Sequence, residues 1–314
     1  MRPAHAREVA AALLLDAAFG EPPEHLHPTV WMGGAISALE KGALRLKTPG
    51  ARRRAGAVLA LTLPGLVFLA SRVTSYVTPR RLRPVLGIIL MSTTLSMRGL
   101  AGAAEAVERE LRAGRIEGAR ERVGEFVGRD TGGLSEEEVC RAAVESVAEN
   151  TSDGVVAPML YGLIFGAPGA LAYKAVNTLD SMVGYRKGPY DELGWASARL
   201  DDLVNLFPSR ATVFAIAALS GQPATTLRTA RKYGPLTDSP NAGWAEAAFA
   251  GALDLRLGGP NLYDGALRVG PVLGIGRAPG AADIRRAVRL MRLVCLSLTG
   301  LALVTALAGV RADG

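Results

Sequence analysis

Along the chain, long apolar stretches alternate with short, charge-dense ones, and the two kinds carry different periodicities. Residues 55–77 form an apolar run of the length a membrane-crossing helix needs, broken by Pro64 and Arg72. Residues 288–310 form a second, cleaner run. Lys41, Arg45, Lys47, Arg52, Arg53 and Arg54 precede the first, and Arg285, Arg286, Arg289 and Arg292 lead into the second. Such basic flanks mark the cytoplasmic ends of membrane helices. Residues 84–97 are apolar but too short to span comfortably, and Arg72 within the first run with Arg80, Arg81 and Arg83 after it leave the topology there open. Residues 9–19 are apolar but interrupted by Asp16 and followed by Gly20-Glu21-Pro22-Pro23, which predicts a short or half-inserted helix, not a cleaved leader. Residues 155–172 are apolar yet carry several prolines and glycines, the mark of a broken segment that dips into the membrane without crossing it. Residues 207–219 are another short apolar stretch, with Arg210 inside.

The polar stretches read differently. Over 101–127, Val107, Leu111, Ala119, Val123 and Phe126 recur at helical spacing among Glu and Arg, which predicts two amphipathic helices broken near Gly114. Ser135 with Glu138 is a capping box, so a helix starts there. On that helix Glu138, Arg141, Glu145 and Glu149 fall on one narrow stripe flanked by Ala, Val and Cys. It is expected to end in the polar turn Asn150-Thr151-Ser152-Asp153-Gly154. A helix over 195–205 is expected to stop at Pro208. Residues 221–285 are rich in Gly and Pro and read as a cytoplasmic or interfacial region, with Leu257-Gly258-Gly259-Pro260-Asn261-Leu262-Tyr263 as a turn-rich loop. The fold class is therefore an all-α polytopic membrane protein of about four to six helical segments, with short or broken helices and amphipathic cytoplasmic helices. One domain is expected over 1–314, with a soluble helical insertion at about 98–150.

Composition supports this and excludes some alternatives. Hydrophobic residues make up 49% of the 314 and charged ones 21%, and mean hydropathy is +0.21. The net charge of +7 is carried by basic residues beside apolar runs, and aromatics are only 5%. Juxtamembrane arginine explains that charge better than a nucleic-acid surface, which would need stacking aromatics. Cys140 and Cys295 stand far apart with no CxxC spacing, so neither a disulfide framework nor a zinc site is expected. His25-Leu26-His27 has no third metal ligand nearby, and His27 reads better as a structural or substrate-contacting residue. There is no GxxxxGK[ST] loop and no GxGxxG after a strand.

Two further polar stripes follow. Lys174, Asn177, Thr178 and Ser181 share a helical face about 100° wide, with Asp180 at its edge. A lysine in apolar surroundings is costly unless it meets an anion. Asp201, Asp202 and Asn205, with Arg199 beside Asp202, place hard oxygen donors on one helical turn, the kind Mg²⁺ takes when it also holds phosphate. The competing reading is a set of structural salt bridges.

Together, LLLDAAFGEPPEHLHPTVWMG, RDTGGLSEEEVCRAAVESVAENTSDGVVAPMLY, AYKAVNTLDSMVGYRKGPYDELGWASARLDDLVNLFPSR and SPNAGWAEAAFAGALDLRLGGPNLYDG resemble the CobD/CbiB family of cobalamin biosynthesis, the adenosylcobinamide-phosphate synthases. The resemblance implies a multi-pass inner-membrane enzyme whose active site faces the cytoplasm. It would join adenosylcobyric acid to (R)-1-aminopropan-2-ol or its O-phosphate through an amide, using ATP and Mg²⁺, with the corrinoid as substrate. The lipid bilayer and other membrane enzymes of the pathway are its expected partners, and nucleic acid is not. Distributed over the stripes, the chemistry would use Glu145 or Glu149 as base and Lys174, Arg141 and Arg199 for phosphate or oxyanion, with Asp201, Asp202 and Asn205 holding Mg²⁺. Candidate substrate contacts are Arg129, Asp130, Asn150, Asp153, Asn177, Asp180, Ser181, Ser239, Asn241 and His27. Two rivals remain: a Mg²⁺-dependent membrane prenyl-transfer enzyme, from the likeness of Asp201-Asp202-x-x-Asn205 to a diphosphate-binding motif, and a transporter or scaffold. The first should show a second Asp-rich motif, for which Asn177-x-x-Asp180 is only a weak candidate, and the second lacks internal repeats.

Overall fold

The computed structural model describes residues 3–185 and 188–312, so Arg186 and Lys187 of the YKAVNTLDSMVGYRKGPY run lie outside the described residues. In chain order the helices are α1 (Pro3–Phe19), α2 (Pro28–Leu44), α3 (Pro49–Val77), α4 (Arg83–Ser92), α5 (Met97–Arg112), α6 (Ile116–Gly124) and α7 (Glu136–Thr151). They continue with α8 (Ala157–Phe165), α9 (Ala167–Val183), α10 (Tyr190–Leu193), α11 (Trp195–Leu219), α12 (Pro223–Tyr233) and α13 (Ala242–Leu253). An antiparallel hairpin of β1 (Leu257–Tyr263) and β2 (Ala266–Leu273) precedes the last helix, α14 (Ala281–Ala312). The all-α expectation holds with this one hairpin added.

Among the described residues, four stretches are long and apolar enough to cross a membrane: Pro49–Val77, Arg83–Arg112, Trp195–Leu219 and Ala281–Val304. The first contains the run 55–77 legible in the sequence, and the last covers 288–304 of the second run. Arg83–Arg112 comprises α4 and α5, separated by a non-helical 93–96. The hydroxyls of Ser92, Thr93 and Thr94 donate back to the carbonyls of Ile89, Leu90 and Met91, competing with the helical ladder at that point. We expect the chain to stay with the membrane pellet after alkaline carbonate extraction. Release without detergent would contradict these four assignments.

The chain divides into two compact units interleaved along the sequence. The first comprises Met1–Ser96, Ala157–Asn205 and Thr299–Gly314, and the second Met97–Val156 and Leu206–Leu298. The insertion expected at about 98–150 falls within the second unit, which also takes 206–298. In the first unit, α3 packs on α9 around Ile36, Ala60, Leu63, Leu179 and Val183. The broken 155–172 segment is broken at Gly166, whose φ of 74° lies where side-chain-bearing residues pay a steric cost. There α8 stops and α9 starts, with Pro168 in its first turn.

In the second unit α7 is the core helix, buried from Val139 through Ala148 with Arg141 and Glu145 included. The middle of its charged stripe, Arg141 and Glu145, is therefore not a solvated face, while Glu149 at its end is exposed. The capping box is present: Glu138 N–H donates to Ser135 Oγ at 3.3 Å and Ser135 N–H to Glu138 Oε2 at 2.8 Å. The expected polar turn after Asn150 is instead one π-helical turn, Ser152–Val156, leading into α8. Such turns occur often at functional sites, and this one takes in Ser152-Asp153-Gly154, the end of the family-like ENTSDG run. Nor does Pro208 end its helix, since α11 runs through it to Leu219. A proline at 208 leaves the Val204 carbonyl without its helical donor. The Tyr161 hydroxyl donates to that carbonyl at 2.9 Å, offsetting the lost bond.

Candidate active site

The candidate residues gather in two clusters, one in each unit. In the first unit, α9 and α11 carry the polar groups. Asp201 Oδ2 accepts from Asn205 Nδ2 at 3.0 Å, and Asn205 Oδ1 accepts from the Tyr173 hydroxyl at 2.8 Å. Tyr173 stacks on Tyr161, ring centroids 5.2 Å apart, so an aromatic pair backs the amide. Asn177 also hydrogen-bonds Asp201. The second oxygen, Asp201 Oδ1, is buried and has no hydrogen-bond partner. A buried carboxylate oxygen left so is costly unless a cation or donor completes it.

The neighbouring groups are less enclosed. Asp202 meets Arg199 at 3.4 Å, with Arg199 mostly exposed. Beside this pair a pocket of about 50 Å³ is lined by Tyr185, Tyr190, Asp191 and Trp195. Ser181 Oγ donates to the Asn177 carbonyl and Thr178 Oγ1 to that of Lys174, so both hydroxyls are turned to their own helix. Asp180 closes α9 through its carbonyl, which accepts from Gly184 N–H. Lys174 is half-buried and acts electrostatically on Glu21, whose carboxyl is held below its usual range chiefly by the His27 ring and also by Lys174. His27 itself caps α2: its Nδ1 accepts from Thr29 N–H at 3.2 Å, and Nε2 lies 3.5 Å from Glu21.

The donor set gives a mixed answer for Mg²⁺. Among the described residues no group of three or more His, Cys, Asp or Glu is placed to hold a metal. Asn205, moreover, is committed on both sides of its amide. What remains is the Asp201 oxygen and the partly exposed Asp202, which suits a cation held by one or two carboxylates and by substrate phosphates, and not a protein cage.

In the second unit, α7 and the hairpin hold a buried ionic network. Arg129 Nη2 lies 2.6 Å from Glu145 Oε2, and its Nη1 donates to Asn261 Oδ1 at 2.7 Å. Arg141 donates to the carbonyls of Gly258 (2.6 Å) and Pro260 (2.9 Å) and to Asn261 Oδ1 (3.0 Å). Glu145 Oε1 in turn accepts from Gly258 N–H at 2.6 Å. At the hairpin tip, Asp130 accepts from the backbone N–H groups of Asp264 (3.2 Å) and Gly265 (2.7 Å). Gly258 has φ 72°, and a Cβ there would lie 2.1 Å from the Pro271 carbonyl oxygen. Arg129, Asp130, Arg141 and Glu145 thus clamp one face of the hairpin.

On the same unit, Ser239 Oγ accepts from the N–H groups of Asn241 and Ala242 at the start of α13. Asn241 Oδ1 accepts from Arg210 at 2.6 Å and Ser209 at 3.2 Å, and Arg210 lies over the Trp244 ring. Asn150 Nδ2 donates to the Ser146 carbonyl, and Asp153 sits half-buried in the π turn. Glu149 is exposed at the end of α7. Sequence reasoning did not single out Glu246, one helical turn into α13 in a run of alanines. Burial raises its carboxyl well above the ordinary range, and the charges of Glu145 and Glu149 add to this against Arg129 and Arg141. The signal available was a lone carboxylate inside an otherwise apolar helix.

That shift carries a sign. A carboxyl held neutral when folded binds a proton that the unfolded chain releases above 4.5, so stability falls as pH rises from there towards the raised value. Glu246→Gln should melt like the parent near pH 4.5 and above it at about pH 8. Parallel melting profiles for the two proteins across that window would show that Glu246 is not held neutral.

Comparison with known proteins adds the following. A family profile described as CobD/Cbib protein matches residues 9–291. A "Cobalamin biosynthesis protein CobD" of Geobacter metallireducens is 47% identical over 297 residues, 90% of this chain and 91% of the relative. One of the same description from Synechocystis is 42% identical over 286 residues, covering 85% and 81%. Another, from Citrobacter koseri, is 42% identical over 292 residues, covering 89% and 91%. No solved structure matches the chain at a significant level.

Proposed function

Because the chain belongs to the CobD/CbiB family, we propose that it is an enzyme of cobalamin biosynthesis that forms an amide bond. It condenses a propionate carboxylate of adenosylcobyric acid with (R)-1-aminopropan-2-ol or its O-phosphate, at the expense of ATP. The observation that carries this reading is the family match over residues 9–291, together with the polar groups that fill its signature stretches.

The chemistry explains why such groups are wanted. A carboxylate does not acylate an amine in water at neutral pH, so its oxygen must first be made a leaving group. Transfer of the terminal phosphoryl group of ATP gives an acyl phosphate and ADP. The amine then attacks the carbonyl carbon, the C–O bond to phosphate breaks, and amide, inorganic phosphate and a proton result. The amine has to be unprotonated when it attacks, and the oxyanion formed needs positive charge or donors nearby.

In the first unit, Asp201 and Asp202 would hold Mg²⁺, with Asn205 orienting Asp201, and the ion when bound neutralises phosphate oxygens. Lys174 and Arg199 supply cationic donors for phosphate or oxyanion, with Asn177, Asp180 and Ser181 around them. In the second unit, Glu149 would be the base for the amine proton. The oxygens of Glu145 are engaged by Arg129 and Gly258 N–H, so we assign it, with Arg129, Asp130 and Arg141, to positioning the hairpin. The enzyme would sit in the inner membrane with its site open to the cytoplasm, where ATP is.

A direct test is the purified protein in detergent with adenosylcobyric acid, aminopropanol phosphate and MgATP, read by mass spectrometry. The expected product has the summed mass of the two substrates less one water, and ADP accompanies it. If the corrinoid is recovered unchanged with either amine, the reading fails.

A further inference from the structure

The second unit holds a charged groove that the proposed chemistry does not use. It has a volume of about 430 Å³ and is lined by Arg109, Arg285, Arg289 and Arg292 with Glu105 and Glu108. It runs between α5 and the first turns of α14, two elements that belong to stretches apolar enough to enter a membrane. The arginines of α14 are the cluster that marks this end of the span as cytoplasmic.

The ion pairs in the groove account for only part of its charge. Glu108 is buried, with a side-chain exposure of 2%, and holds Arg112 at 2.8 Å and Arg285 at 3.1 Å. Glu105 holds Arg292 at 2.9 Å. Neither Arg109 nor Arg289 appears in any ion pair among the described residues, and both are exposed. Four guanidinium groups face two carboxylates in the lining, a net of two positive charges. A fold that needed only to close a salt-bridge network would have no use for the two extra arginines. Their planar forks match phosphate oxygens in pairs.

The geometry points to a binding site for a phosphate group in this groove, with Arg109 and Arg289 as its direct ligands and Arg285 and Arg292 held in place by Glu108 and Glu105. That chemistry has two sources: the headgroup of an anionic lipid, for which basic recesses between membrane helices are known hosts, or a soluble phosphate ester. The site does not depend on the amide-forming reaction, and it stands or falls by binding alone.

The test uses the full-length protein in nanodiscs and two probes. The first is inorganic phosphate added to phosphatidylcholine discs, and the second is phosphatidylglycerol built into them. Binding is read by thermal stabilisation and by native mass spectrometry of the released protein. Binding by one probe or both is expected, weakened about tenfold or more in the Arg109→Gln, Arg289→Gln double variant, as loss of charge-assisted hydrogen bonds implies. Glu105→Gln, which frees Arg292 from its partner, should bind more tightly and guards against a variant that is merely misfolded. Binding of inorganic phosphate alone assigns a soluble ester, and binding of phosphatidylglycerol alone assigns a lipid headgroup. Absence of binding by both probes, or equal binding by parent and both variants, overturns the site.

Discussion

Asp201→Asn is expected to lower turnover by more than about a hundredfold, above what the loss of an outer partner of a metal costs. The protein should remain folded and as stable as the parent, or more so. The buried Oδ1 has no hydrogen-bond partner, and an amide of the same shape removes a charge from an enclosed site while keeping the other oxygen for Asn205. Loss of activity with stability retained is what distinguishes a cation-binding carboxylate from a structural one. Asp202→Asn should also lose turnover, and raising Mg²⁺ should restore part of it, because Asp202 is partly exposed. Full activity in Asp201→Asn at saturating Mg²⁺ would reduce the pair to salt-bridge partners.

Glu145→Ala should have the opposite signature, a large loss of stability. The substitution leaves Arg129 and Arg141, with side-chain exposures of 12% and 9%, facing a vacated site. It also orphans the Gly258 N–H that Glu145 accepts. Breaking a buried ion pair from one side costs on the order of 3–5 kcal/mol. The effect should appear first in the hairpin, as faster hydrogen exchange at the amides of Gly258 and of the tip, Asp264 and Gly265. If exchange there is unchanged and the melting point is that of the parent, Glu145 does not clamp the hairpin, and the base role becomes open to it again.

These two residues also show what was legible in the sequence. The start of α7 was plain, because a capping box is a local pattern and Ser135 and Glu138 form it with their own backbone. The charged stripe on α7 was legible as a stripe. Its burial was not, since that depends on a hairpin whose residues follow more than a hundred positions later. The hairpin was missed for a related reason. Leu257-Gly258-Gly259-Pro260 has no alternation of apolar and polar positions, and its strand is held by Arg129 and Arg141 from outside. One clue was available. Asp264-Gly265, both at positive φ, is a favoured two-residue turn between paired strands. Pro208 misled in the other direction, because the hydroxyl that compensates for it comes from Tyr161, on a different helix. Two of the membrane spans, Pro49–Val77 and Ala281–Val304, follow from length and apolar content and were read to within one turn or two. The other two were not: residues 84–97 looked too short and 101–127 too charged to join as Arg83–Arg112, and Pro208 divided Trp195–Leu219.

The candidate site was legible as residue types, and less so as roles. Asp201 and Asn205 were singled out as joint ligands, and the structure turns Asn205 towards Tyr173 and Asp201 instead. Arg129, Asp130 and Arg141 looked like substrate or phosphate contacts because they are charged and sit in a signature run. Arg141 and Asp130 spend theirs on backbone groups of the hairpin, and Arg129 on the side chains of Asn261 and Glu145, which no one-dimensional pattern shows. Glu246 had no visible partner in sequence, and its burial first, with the charges of Glu145 and Glu149 after it, marks it out.

The central claim is that a propionate oxygen is made a leaving group by phosphoryl transfer and that amide formation follows. Oxygen-18 in both oxygens of the reacting propionate of adenosylcobyric acid tests it in one experiment. After reaction with aminopropanol phosphate and MgATP, the account predicts one labelled oxygen in the amide and the other in the inorganic phosphate released. An amide formed with the label in AMP or lost to water, or no amide at all, would contradict it.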